Sequence, residues 1–292
     1  MLKVVIIGYG EMLASLVEGI RFSNHKIVGI LRYDRVRFSK SALFFKDIFN
    51  PSKDLSYIKS LKIKDINATS VNCKKFIKQI EKLNADVVLV GSWGEKIKPE
   101  LFKNIKYGVI NCHPALLPKH RGANPYFWAI KNGDEKSGVT FHQVNEKFDA
   151  GDILFQGAIK IEPYMNSLDL KLKACKVAEI MVKDLLNDME KGILIPTKQI
   201  ESKATFEKQI SPDDLIIDLT KTINEINNHI RALAPRFKPL YRYQNKIYEI
   251  DKINFIEDND FSKNFKNGEL IKEDGKISIF KCQDGIIEIL NY

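Results

Sequence analysis

Residues 3–7 (KVVII) set four β-branched side chains in a row and run straight into Gly8. A strand with one wet face alternates polar and apolar positions. An unbroken apolar run therefore marks a strand buried on both faces, which occurs in parallel sheets covered by helices on either side. Residues 26–31 (KIVGIL) and 86–90 (DVVLV, ended by Gly91) repeat the signal, and residues 109–111 supply a further short strand. Between them, residues 71–83 carry apolar side chains at Val71, Phe76, Ile77, Ile80 and Leu83, close to helical spacing. This alternation predicts an α/β fold: a Rossmann-like, doubly wound, mostly parallel sheet with right-handed crossovers. Residues 139–144 (VTFHQV) alternate like a strand with one wetter face. Residues 153–161 read as another strand, with Gly157 as a bulge. Residues 167–186 read as a long amphipathic helix capped by Asn166 or Ser167.

The pattern changes near residues 195–209, which are polar and lack a period. The sequence thus predicts a catalytic domain over residues 1–200 and a smaller C-terminal domain over 207–292. In the latter, a helix at 222–233 ends at Ala234-Pro235. Short strands follow around 240–243, 246–250, 268–271, 276–280 and 285–290. With turns at Asp274-Gly275 and Asp284-Gly285, they predict a β-rich, OB-like barrel or open sheet.

Composition narrows the class. The 292 residues are 44% hydrophobic and 28% charged, as in an ordinary globular chain. No apolar run approaches the roughly 20 residues that span a bilayer, and the opening apolar run is too short for a secretion signal. The expected location is the cytoplasm, with no membrane partner. Cys73, Cys112, Cys175 and Cys282 stand singly, without metal-ligand or disulfide spacing, so no metal is expected. The net charge of +9 is uneven. From Lys208 onward there are 13 Lys+Arg and 14 Asp+Glu, which leaves the first 207 residues at +10. The densest basic stretch is Arg32, Arg35, Arg37 and Lys40, whose default reading is a solvated loop.

The chemistry concentrates in residues 108–125 (GVINCHPALLPKHRGANP) and 147–153 (KFDAGDI). On a strand, Asn111 and His113 point the same way and Cys112 points away. A turn around Ala150-Gly151 brings a carboxylate, Asp149 or alternatively Asp152, beside the histidine. An amide donor can hold an oxyanion, an imidazole can move a proton, and a carboxylate can raise the imidazole pKa and orient it. Acyl transfer to an amine needs these three groups. His120 and His142 lie off the pattern, at the surface or behind the site. Gly8-x-Gly10 hints at a dinucleotide fold but has Leu13 where a third glycine would stand, so a tight turn explains it. Trp93 reads as packing at the pocket wall.

Asn-x-His, the loop ALLPKHRG and the distal Asp resemble the folate-dependent formyltransferase family. That family includes methionyl-tRNA formyltransferase, nucleotide-sugar N-formyltransferases and glycinamide ribonucleotide formyltransferase. The matched positions are Asn111, His113 and Asp149, with Pro118, Arg121, Gly122 and Pro125. Ala115 stands where the family has Ser. The resemblance covers about residues 3–186, and NHIRALAPRFKPLYRY is similar to the second domain of the first two subfamilies. It implies 10-formyltetrahydrofolate as formyl donor and Asn111, His113 and Asp149 as the catalytic set. It also implies a folate pocket formed largely by the backbone of Glu95, Lys96, Ile97, Leu116, Leu117, Pro118, Asn145, Glu146 and Lys147.

The acceptor is not fixed by the resemblance. The acidic balance after Lys208 and the opening VIIGYGEML, which differs from the pattern of the tRNA enzymes, point to a nucleotide-linked amino sugar. Methionyl-tRNA is the alternative acceptor. A folate-binding scaffold without activity and a hydrolase releasing formate are further readings, and an oligomer is compatible with the sequence.

Overall fold

The computed structural model describes residues 1–257 and 262–290. In chain order the elements are β1 (Lys3–Gly8), α1 (Gly10–Arg21), β2 (Lys26–Arg32), α2 (Asp34–Arg37), α3 (Lys40–Phe49), α4 (Lys53–Ser60), α5 (Lys74–Lys82), β3 (Val87–Gly91), α6 (Pro99–Phe102), β4 (Val109–His113), α7 (Pro125–Lys131), β5 (Lys136–Gln143), β6 (Ile153–Lys160) and α8 (Ser167–Lys191). After these come β7 (Ile216–Ile217), α9 (Ile223–Leu233), β8 (Leu240–Tyr243), β9 (Lys246–Glu249), β10 (Lys252–Glu257), β11 (Leu270–Asp274), β12 (Ile277–Lys281) and β13 (Gly285–Leu290).

The chain divides into two compact units. One comprises Met1–Gly122, Gly138–Ile159 and Leu172–Phe206; the other comprises Ala123–Ser137, Lys160–Lys171 and Glu207–Tyr292. The first unit is built on a six-stranded sheet of order β2-β1-β3-β4-β5-β6. β2, β1, β3 and β4 are parallel, and β5 runs antiparallel to β4. This is the Rossmann-like, mostly parallel sheet that the unbroken apolar runs predict: Val4, Val5, Ile6 and Ile7 are fully buried, as are Val87, Val88 and Leu89.

β1 and β3 meet closely at their ends. A Cβ on Gly8 would fall 2.1 Å from the Gly91 carbonyl oxygen. Gly8 is therefore required by backbone approach, as the tight-turn reading holds. In the second unit the described strands form two sheets, β9-β8-β7 and β10-β13-β12-β11, the strand-rich region expected there. Asn166, not Ser167, caps α8: its Oδ1 accepts from the N–H groups of Leu168 and Asp169. Thr222 and Glu225 form a capping box on α9.

Residues 33–61 depart most from the sequence reading. They form three helices where the sequence reading assigned no element, and of the stretch Arg32–Lys40 expected as a solvated loop, Arg37 and Lys40 are exposed whereas Arg32 and Arg35 are not free. Arg32 is fully buried at the end of β2. Its guanidinium donates to Asp47 at 2.9 and 2.8 Å and to Asp65 at 3.1 Å, and Arg35 binds Asp65 as well. A buried guanidinium is retained only when carboxylates neutralise it and take its hydrogen bonds, so the fold spends these cations internally. Ser39 and Ser52 cap α3 and α4 by accepting from the N–H groups of Ala42 and Leu55.

Replacing Arg32 tests this network. Arg32→Met strands Asp47 in a partly buried site and leaves Asp65 to Arg35 alone, and loss of one partner of such a pair costs about 3–5 kcal/mol. Urea unfolding should show a loss of this size, against a much smaller one for the exposed Arg37→Met.

Candidate active site

Asn111 and His113 leave β4 on the same side, and Cys112 points the other way, its Sγ 3.5 Å from Met12 Sδ. Antiparallel pairing sets His142 on β5 opposite Asn111, and Thr140 opposite His113. After β5 the chain turns back. Asp149, in the left-handed region at φ 51°, brings its carboxylate onto this cluster. One oxygen, Oδ1, accepts from Asn111 Nδ2 at 3.0 Å and lies 3.4 Å from His142 Nε2. The other, Oδ2, accepts from the Gly122 N–H at 2.9 Å and faces His113 Nδ1 at 3.6 Å. The structure thus brings Asn111, His113 and Asp149 together. Asp152 follows the turn, its backbone carbonyl accepting from the Gln143 N–H.

His120 and His142 are both buried, which removes the surface reading of each. His142 touches two of the three expected residues. Alternation along a strand could have placed it on the face of Thr140, but only the cross-strand register shows that this face meets Asn111.

The hydrogen bonds assign the protons. His113 Nε2 lies 2.7 Å from the His120 carbonyl, which can only accept, so Nε2 carries a hydrogen. Neutral His113 then presents a bare Nδ1 towards Asp149. Burial lowers the His113 pKa from its ordinary value and outweighs the upward pull of Asp149. The carboxylate pulls this pKa up as expected, but loss of water around the ring is the larger effect and sets the net direction. His113 stands as a neutral base at pH 7, and a proton taken at Nδ1 meets the carboxylate. For Asp149, burial acts upward. Together, the neighbouring His113 and His142 imidazoles and the Gly122 N–H outweigh it and hold the carboxyl well below the usual range.

The His142 proton bears on Asn111. His142 Nδ1 donates to the Gln143 carbonyl at 2.9 Å, so in the neutral ring Nε2 is bare. It then takes the second hydrogen of Asn111 Nδ2, 3.2 Å away. Asn111 can offer an N–H to an incoming carbonyl by giving up one of these two contacts.

Gln199 holds the loop from behind. Its Nε2 donates to the carbonyls of Asp149 and Gly151, each at 2.8 Å. Its Oε1 accepts from the buried Arg121 guanidinium at 3.0 and 2.8 Å, and Arg121 also pairs with Glu201. Gly151 is the other constraint: a Cβ there would lie 1.8 Å from the Gln143 carbonyl oxygen. Arg121 was visible in the sequence as part of the loop motif. Gln199 was not, because it lies 50 residues from Asp149 in a stretch without pattern.

Of the expected folate contacts, Glu95 has its carboxylate committed to the chain, to Ser70, the Val71 N–H and the Asn72 amide. Ile97 is buried in the core. The Lys96 carbonyl accepts from the Asn72 amide. Leu117 is buried between the Thr140 hydroxyl and Gln156, Leu116 and Pro118 are half-buried, and Asn145, Glu146 and Lys147 are exposed. Trp93 packs against the core beneath β3, consistent with a wall residue. Among the described residues no group of His, Cys, Asp and Glu could hold a metal ion, and no described helix is long and apolar enough to cross a membrane.

The formyl transferase profile matches residues 2–184, and the formyl transferase C-terminal domain profile matches 209–292. This chain belongs to the formyl transferase family. It is similar to a methionyl-tRNA formyltransferase of Ehrlichia chaffeensis, 36% identical over 231 residues, covering 77% of this chain and 73% of that protein. A methionyl-tRNA formyltransferase of Caldanaerobacter subterraneus subsp. tengcongensis is 31% identical over 242 residues, covering 83% and 77%. Among solved structures, an N-formyltransferase from Helicobacter canadensis, in complex with folinic acid and dTDP-3-aminofucose, superposes with a TM-score of 0.68 at 20% identity, covering 100% of both chains. The chain is thus a formyltransferase of the folate-dependent family, with the Rossmann-like fold of that class.

The geometry ranks three variants of this formyltransferase. Asp149→Asn, which removes the charge facing His113, should depress turnover far more than Asp152→Asn; the reverse order would reassign the carboxylate. Gln199→Leu leaves the reacting groups in place but frees the loop, and a displacement of about 1 Å costs about 10²-fold in kcat. Steady-state kinetics of the three variants measure both.

Proposed function

We propose that this enzyme moves the formyl group of 10-formyltetrahydrofolate to the amine of a nucleotide-linked amino sugar. The observation that carries the transfer chemistry is the Asp149 carboxylate, held between Asn111, His113 and the Gly122 N–H. Asn111 Nδ2 donates to the oxyanion that forms on the attacked carbonyl. His113 Nδ1 accepts the proton of the attacking amine and returns it to the leaving nitrogen. Asp149 stabilises the imidazolium between these steps and orients Asn111. The donor lies against main-chain groups at Glu95, Lys96 and Ile97, at Leu116, Leu117 and Pro118, and at residues 145–147. The folate supplies the activated formyl carbon and a nitrogen leaving group.

The sugar acceptor rests on charge. A protein that tracks nucleic-acid phosphates needs exposed Lys and Arg. Arg32 and Arg35 are instead tied to Asp47 and Asp65, and the chain from Lys208 onward has the net charge of −1 noted above. Methionyl-tRNA is the second reading, favoured by the names of relatives 31% and 36% identical to this chain. The family membership and intact triad support an active enzyme over a scaffold. We place it in the cytoplasm, where both acceptors occur.

Three measurements follow. With His113 lowered by burial, kcat/KM should be flat at neutral pH and fall as pH drops through a value below the ordinary histidine range, where the base becomes protonated. His113→Ala should lose about 10²–10⁴-fold in turnover with folate binding kept, and near wild-type turnover would remove it from the mechanism. Formyl transfer assayed against dTDP-, UDP- and GDP-linked amino sugars beside methionyl-tRNA decides the acceptor. Turnover confined to methionyl-tRNA, with binding that falls steeply with salt, would overturn the sugar reading.

A further inference from the structure

Three aromatic side chains gather where β1, β2 and β3 end. Tyr9 directly follows Gly8, Tyr33 directly follows Arg32, and Trp93 stands two residues beyond Gly91. The Tyr9 and Tyr33 rings stack with centroids 5.4 Å apart and planes 29° apart. Tyr33 meets Trp93 edge-on at 4.9 Å. The backbone fixes the arrangement: the Tyr9 N–H donates to the Gly91 carbonyl and the Tyr33 N–H to the Gly8 carbonyl. The Tyr33 hydroxyl lies against Gly94. Tyr33 and Trp93 are half-buried, whereas Tyr9 is 48% exposed at the outer end of the row.

This row stands at the carboxyl edge of the parallel strands, where ligands of open α/β sheets bind. Gly8 is aligned with Gly91, and Val90 with Asn111. Tyr9 therefore sits about two strand spacings, on the order of 10 Å, from the strand that carries Asn111 and His113. The donor contacts proposed above follow β3, β4 and β5, which leaves the β1–β2 side of the edge for the second substrate. The common anchor at such an edge, the N-terminus of α1, is already engaged: Asp54 Oδ2 accepts from the Gly10 N–H at 3.3 Å. A phosphate there would meet a carboxylate. Recognition at this end therefore falls to ring faces rather than to charge.

We infer that Tyr9, backed by Tyr33 and Trp93, is an acceptor subsite that stacks a nucleobase. The inference rests on the formyl-transfer reading only for the name acceptor. A nucleobase is common to both candidate acceptors, as the base of a nucleotide sugar or the terminal adenosine of a charged tRNA. Its distance from the reactive amine in either molecule suits a span of this order. Aromatic stacking holds a base of any sequence, because every base has a π-face. The indole nitrogen of Trp93 supports a binding role: it is buried without a hydrogen-bond partner, a cost that a phenylalanine packed at the same place would avoid.

The chain has two tryptophans, so Trp128→Phe leaves Trp93 as the sole tryptophan, excited selectively over the tyrosines at the red edge of absorption. In that background dTMP, UMP and AMP are titrated while Trp93 emission is followed. At least one should quench it. Tyr9→Ala should weaken that binding about tenfold to a hundredfold, the size of one base–aromatic stack, and Tyr9→Phe should retain it. A pyrimidine preference identifies a nucleotide sugar as the source of the base, and a preference for AMP identifies a tRNA end. In turnover, Tyr9→Ala should raise the acceptor KM by the same factor, with donor KM and kcat kept. Binding of none of the three nucleotides, an unchanged affinity in a folded Tyr9→Ala, or a rise in donor KM instead of acceptor KM would each overturn the subsite. Tyr9-dependent nucleotide binding without formyl transfer to any amine would leave the subsite standing and remove the transfer reading.

Discussion

A carboxylate buried beside two imidazoles stays ionised only if nearby groups replace the water it has lost. Asp149 meets that condition with hydrogen bonds from the Asn111 amide and the Gly122 N–H, beside ring nitrogens of His113 and His142. Much of the first unit serves to supply those partners. β4 carries Asn111 and His113, its antiparallel neighbour β5 carries His142, and the motif loop carries Gly122. The turn at residues 149–151 adopts a left-handed residue and a glycine pressed on a carbonyl so that the carboxylate points inward. Arg121 and Gln199 then hold that turn through its own backbone.

The same burial sets the chemistry. A histidine in water beside a carboxylate would be a better proton holder; taken out of water it is a readier base. His113 is of the second kind, with one nitrogen occupied by the His120 carbonyl and the other bare towards Asp149. His142 adds a further condition by competing for the Asn111 donor. The reacting groups therefore form one hydrogen-bonded network, in which moving a proton at one ring changes what the next group can offer.

Electrostatic economy also shapes the far side of the sheet. Arg32, Arg35, Asp47 and Asp65 neutralise one another beneath helices α2–α4, and Asp54 occupies the N-terminus of α1. Two of the four cations that look in the sequence like a surface for phosphates, Arg32 and Arg35, are consumed in holding the fold. What remains at that edge is aromatic, which is why the acceptor reading turns on stacking and on a compact ligand.

The parallel sheet, its strand ends and the triad were legible in the sequence because they depend on local rules. Unbroken β-branched runs must be buried, residues two apart on a strand share a face, and a short motif keeps its spacing in any member of a family. The 33–61 helices and β10 escaped, although Ser39 and Ser52 stood at the cap positions of α3 and α4, because few of their apolar side chains are buried and packing decides their fate. The surroundings of His142, Gln199, Arg32 and Tyr9 were decided only by the tertiary structure. Each depends on a partner 30 or more residues away or on which face a neighbour covers. The direction of the His113 pKa belongs with them: composition and motif show a carboxylate nearby, but only the folded chain determines how much water the ring has lost, and here that loss outweighs the charge.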